Sequence, residues 1–166
     1  MIPAPLPPVP NTIRDEYGAL VLDLDRLIVT LSQRLRSFIN CAPGCSSCCR
    51  KFTVLPLEAA LIAGSPRPSF RSIGGEEQCP LLDDNRCTIY QQRPLICRTQ
   101  GLPIGYVDET NEQIEVSACP LNFSEDHPFE YDDLLLLDPF NFRLAALNRS
   151  YCQKAGIAAD LRLPLE

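Results

Sequence analysis

Four cysteines fall within nine residues, in the order Cys41-x3-Cys45-x2-Cys48-Cys49. Spacings this short let one loop present several sulfurs to one centre, with the loop's own amides free to hydrogen-bond them. A second group follows as Cys79-x7-Cys87-x9-Cys97, and Cys119 lies beyond it. Whatever this chain folds into has to gather up to eight thiols over residues 41–119. The ninth cysteine, Cys152, sits among apolar neighbours in a helical stretch and reads as a buried structural thiol, because a free cysteine packs like a small hydrophobe.

A disulfide framework is the plain alternative. Three features oppose it: the count is odd, Cys48 and Cys49 are neighbours, and the opening MIPAPLPPVP lacks the basic start and apolar stretch of an export signal. The expectation is a cytoplasmic protein in a reducing compartment, where such a pattern serves metal ligation or redox chemistry. The longest unbroken apolar run, Ala59 to Ala63, is far short of the ~18 residues of a membrane span. A net charge of −6 argues against nucleic acid or an anionic membrane as the main partner, since both ask for a basic surface.

The candidate ligands are Cys41, Cys45, Cys48, Cys49, Cys79, Cys87, Cys97 and Cys119. The one histidine, His127, lies in the acidic run Glu125-Asp126-His127 and reads as a surface residue. Thiolates without imidazoles point to zinc or iron–sulfur. Eight thiolates suit two four-cysteine zinc sites, while four suffice for one [4Fe–4S] cluster; spacing leaves both open. Charge leans toward the cluster. Residues 45–98 carry seven Arg/Lys against five Asp/Glu, a local +2 that leaves −8 on the rest of the chain. That +2 offsets a cluster with four thiolates, at about −2, better than two zinc sites at about −4 together. Arg50, Lys51, Arg86 and Arg98 lie within two positions of a cysteine and are expected to favour the thiolate form.

Around this centre the pattern is helical. Residues 1–11 form a proline-rich arm. Residues 12–40 read as one amphipathic helix, with Tyr17, Leu20, Leu24, Leu27, Leu31, Leu35 and Phe38 at three- and four-residue steps. Asn11 or Thr12 can cap it. After the cysteine-rich core of 41–123, which holds a short helix from Pro56 to Gly64, an irregular stretch at 65–78 and a hairpin at 104–116, residues 129–155 read as C-terminal helices and 157–166 as a tail. The expected fold is mainly α with an irregular cysteine-rich centre and a small β-hairpin, an α+β unit over 12–156 stabilised by metal.

Cys45-x2-Cys48-Cys49, then Cys79-Pro80-Leu81-Leu82, Cys87-Thr88-Ile89-Tyr90, Arg93-Pro94 and Cys97-Arg98, resemble the CxxCxxCC cysteine-cluster family of zinc- or iron-chelating domains. The resemblance spans about residues 41–123. The gap between Cys41 and Cys45 is three residues where the family has two. The resemblance implies metal chelation by the shared cysteines, with Arg93 and Arg98 beside the centre and Pro94 shaping the approach to Cys97. The Cys-x3-Cys-x2-Cys spacing also matches radical SAM enzymes, but their βαβ alternation is missing. The leading expectation is an iron–sulfur protein in redox or cluster-dependent chemistry. The alternative is a structural zinc module that scaffolds a protein partner through the first helix and the proline arm. No general-base histidine and no phosphate-binding glycine loop marks an enzyme, and the oligomeric state is not legible.

Overall fold

The computed structural model describes residues 6–64, 77–108, 110 and 113–165. The first five residues of the proline arm, most of the irregular stretch at 65–78 (with Arg67, Arg71 and Glu76 of the charge count), three residues at the hairpin tip and residue 166 lie outside the described residues. The fold is mixed α+β, with four α-helices and small sheets among the described residues. None of those helices is long and apolar enough to cross a membrane.

Helix α1 spans Asn11–Arg34 and buries Leu20, Leu24 and Leu31 of the expected stripe, with Tyr17 and Leu27 half-buried; Ile13 joins them from outside the stripe, and Phe38 is exposed. Burying each leucine contributes roughly 1.5–3 kcal/mol, so the protein's own core accounts for this face. The helix stops six residues before Asn40. Leu35 leaves helical geometry, and Asn40 turns its backbone N–H to the Asn122 side chain and its amide to the Leu121 carbonyl. Tertiary partners thus take the hydrogen bonds that a longer helix would have used. Neither Asn11 nor Thr12 caps the start: Pro10 occupies that position, without a side-chain bond.

Helix α2 spans Pro56–Ala63, with Pro56 in its first turn and Gly64 at its end. It is apolar nearly all round and lies between two clusters. Leu57 and Ala60 face the large core with α1; Ile62 and Ala59 face a smaller one. The short α3 covers Leu95–Arg98. Strands β4 (Ile104–Asp108) and β5 (Gln113–Ser117) make the expected hairpin.

Of the C-terminal helices expected over 129–155, only the last forms as an α-helix, from Asp138. Before it come a single 3-10 turn at Tyr131–Asp133 and strand β6, Leu135–Leu136, which runs parallel to β4. Leu135 and Leu137 are buried, a two-residue alternation that suits a strand, and the Leu135 N–H donates to the Pro103 carbonyl. Helix α4, Asp138–Ala155, packs Leu144 and Tyr151 into the core and ends at Gly156, whose φ is 68°. The expected tail is part of the fold. Leu163–Pro164 (β7) pairs antiparallel with Thr53–Val54 (β1), and Leu165 is buried in the smaller cluster. The described part of the arm docks too: Val9 is buried and the Tyr151 hydroxyl donates to the Pro7 carbonyl.

Asn148 ties α2, α4 and the C-terminal segment together. Its side-chain oxygen accepts the Leu57 N–H and its amide donates to the Ala159 carbonyl. Asn148→Ala leaves two backbone groups without partners. It is expected to cost about 2–3 kcal/mol, read as a lower denaturant midpoint at unchanged slope.

Candidate metal centre

The loop of residues 41–49 is two successive tight turns. The Cys45 N–H donates to the Ala42 carbonyl and the Cys49 N–H to Ser46; Gly44, at φ 93°, allows the first reversal. The chain then pairs with residues 77–79: Lys51 N–H to Glu77 O at 3.1 Å, Cys79 N–H to Cys49 O at 3.1 Å. This pairing sets Cys49 beside Cys79. Strands β2 (Leu82–Asp83) and β3 (Arg86–Cys87) form a hairpin with Asp84 and Asn85 both at positive φ, the geometry that matches strand twist in a two-residue turn. It places Cys87 opposite Leu82, whose N–H reaches back to the Cys79 carbonyl. Ser46 donates to the Asn85 side chain and so fastens the loop to this turn. Cys97 arrives on α3, and Cys119 follows β5.

Seven of the eight candidate cysteines, all but Cys119, line one open cavity of about 570 Å³. Cys119 lies close enough to raise the Cys48 thiol. Cys41 and Cys45 are exposed, Cys79 is buried, and the other five are half-buried. No three His, Cys, Asp or Glu side chains among the described residues converge at coordinating distance as they stand. The donor set nevertheless fits the group it is expected to hold, because the cavity gathers soft sulfur donors, those that select zinc and iron–sulfur. Cys152 is apart, buried in α4 with its thiol on the Asn148 side chain.

The electrostatics reverse one expectation. Adjacent bases do not bring these thiols down. Burial pushes Cys97 up to about 12 and Cys49 up to about 11, and raises Cys48 and Cys79 as well, with neighbouring thiols adding to it for all four. Desolvation of the charged form outweighs the bases, even though Arg50 and Arg86 line the same cavity; Arg98 and Arg93 have other partners. Arg98 is buried against Asp25 at 3.0 Å and donates to the Arg93 and Gln91 carbonyls. Arg93 donates to the Tyr90 carbonyl and stacks on its ring at 3.6 Å. Both bind the backbone of 90–98, although Arg93 also reaches the cavity wall and pulls Cys97 slightly down. A metal-free centre therefore holds these thiols as neutral SH, and an entering cation must displace their protons.

Three contributors were not read from the sequence. The Asn122 amide donates to the Cys41 sulfur at 3.3 Å and to the Gly101 carbonyl at 2.7 Å. Gly101, at φ 95°, passes so near that a Cβ there would meet the Cys41 sulfur at 3.1 Å. Neither residue advertises this locally. Glu58 does: it is the one charge in the apolar run VLPLEAALIA, a sign of a buried partner. His127 also differs from expectation. It is half-buried, edge-on to Phe38 at 4.6 Å and beside Phe123 and Phe129, since the early end of α1 brings Phe38 to it.

The buried Glu58 carboxylate accepts the Leu95 N–H at 2.9 Å and the Tyr17 hydroxyl at 3.1 Å, which fixes the start of the helix that carries Cys97. Burial raises its pKa against the pull of those two donors. A raised carboxyl adds stability below its unfolded value of 4.5 and loses it as pH climbs through the folded value. Glu58→Gln keeps an acceptor for both donors. Its unfolding free energy, measured from pH 4.5 to 7, is expected to rise relative to wild type as pH increases; a constant difference would contradict this account.

No curated protein and no solved structure matches the chain. One family model does, over residues 40–120, and it carries the description "CxxCxxCC: Putative zinc- or iron-chelating domain". The match covers the two-turn loop, the β2–β3 hairpin, α3 and the β4–β5 hairpin up to Cys119, the elements that carry the eight candidate cysteines. Over residues 40–120 this chain is thus similar to the CxxCxxCC family, whose model is described as a zinc- or iron-chelating domain.

Proposed function

We propose that this chain holds an iron–sulfur cluster through the thiolates of its clustered cysteines, in redox or cluster-dependent chemistry, and that bound metal stabilises the central segment. The observation that carries the reading is the convergence of seven cysteines on one open cavity. Four thiolates are the usual complement of a [4Fe–4S] cluster. When bound, such a group supplies an electron-accepting centre. The chain's own residues give it the sulfurs, an amide donor from Asn122 near Cys41, and a fold that keeps part of the sulfur set away from solvent. A reducing cytoplasm is the compartment that would keep these thiols available.

A specific observation also favours zinc. Cys49, Cys79, Cys87 and Cys97 pack against an apolar cluster that includes Leu82, Ile89 and Leu165, and a closed, sheltered four-cysteine arrangement is the usual form of structural zinc. In that reading the domain is a scaffold for a protein partner.

Protein purified without oxygen separates the two. Matched iron and sulfide with a broad visible band near ~400 nm establishes the cluster; a colourless protein with about one or two zinc ions per chain establishes the scaffold. In either case Cys49→Ser and Cys97→Ser are expected to lose metal and Cys152→Ala to keep it. Full metal content in both serine variants would remove the proposal.

A further inference from the structure

We infer that the eight cysteines form two separate metal sites: an inner one of Cys49, Cys79, Cys87 and Cys97, and an outer, readily exchanging one of Cys41, Cys45, Cys48 and Cys119. The inference rests on the metal-binding reading above and divides its ligands.

The inner set is defined by packing. Cys79 belongs to the small apolar cluster with Leu82, Ile89 and Leu165, and the three cysteines packed against that cluster are Cys49, Cys87 and Cys97. Backbone pairing holds three of the four together: Cys79 N–H on Cys49 O, and Cys87 opposite the leucine that returns to Cys79 O. α3 brings the fourth.

The outer set is joined by Asn122. Its side chain holds the Cys41 sulfur, and its own N–H donates to the Cys119 carbonyl at 3.0 Å. Residues from opposite ends of the cysteine-rich segment are thereby brought together. Cys45 and Cys48 lie on the two turns of the same loop as Cys41, on the cavity wall. Cys41 and Cys45 are exposed, whereas no member of the inner set is.

Cys48 and Cys49 are the seam. They are adjacent in sequence and both line the cavity, so the two sites are neighbours that share a backbone link and no ligand. Drawing each set onto its metal is work the metal does, as is usual where binding and folding are coupled.

Exposure predicts unequal exchange. A chelator should strip the outer site quickly and the inner site slowly, so metal leaves wild-type protein in two phases of similar size.

The test is metal content per chain of anaerobically purified full-length protein. The inner pair Cys79→Ser/Cys97→Ser and the outer pair Cys41→Ser/Cys119→Ser should each lose about half of the wild-type metal, as expected for two independent four-sulfur sites. The cross pair Cys41→Ser/Cys97→Ser should lose nearly all of it. Total loss in the outer pair, or none, overturns the inference. Should the inner pair fail to fold, the outer pair still decides: it must keep about half the metal and release it only in the slow phase. Wild-type protein that holds metal but shows one loss pattern for all pairs sinks the two-site inference alone. Wild-type protein with no metal sinks the parent reading, and this one with it.

Discussion

The hydrogen bond from the Cys79 N–H to the Cys49 carbonyl is the point on which the sulfur arrangement turns. A two-turn loop can bring Cys41, Cys45, Cys48 and Cys49 near one another, but it cannot reach Cys79, thirty positions on. The short antiparallel contact of residues 49–51 with 77–79 makes that connection. It holds because both flanks are fixed from behind. α2, apolar on both sides, joins the small cluster under the cysteines to the main core. Glu58, buried in α2, holds the first N–H of α3. The cysteine-lined cavity therefore inherits its rigidity from the helical core, although few of its residues belong to a helix.

What was legible in the sequence follows from how local each signal is. Most of the α1 stripe, the β4–β5 hairpin and the Pro56 start of α2 are set by neighbours within a few positions, and these are present. That the cysteines gather, seven of them on one cavity, was legible because cysteine has few other uses at that density. The misses are tertiary. Asn40 ends α1 early by bonding to Asn122, and Leu135 pairs with β4, which no local pattern reveals. The C-terminal segment looked like a tail because two residues of strand carry almost no periodic signal. Asn122, which links Cys41 to Cys119, has nothing local to set it apart.

The bases near cysteines in sequence do not lower the raised thiols, for a physical reason. Counting Arg and Lys near cysteines in sequence assumes that their charges face the sulfurs. Arg98 instead reaches Asp25 in α1 and the carbonyls of its own loop, so much of its field goes to bracing the chain. Half-buried thiols then feel mainly the loss of water. This suits a site meant to be filled: neutral thiols tolerate the apolar floor of the cavity, and a cation restores the favourable environment that burial removed.

The Leu165 N–H donates to the Phe52 carbonyl, and Leu165 forms part of the floor beneath the inner cysteines. The contact joins positions 52 and 165, whereas every other part of the cavity comes from residues 41–100. Contacts between distant parts of a chain are the slow ones in folding. The order of assembly follows from the topology: the sulfur-bearing turns form while the cup is still open on one side, and the last wall arrives late. A metal supplied to the nascent chain therefore meets the thiols before that wall is in place.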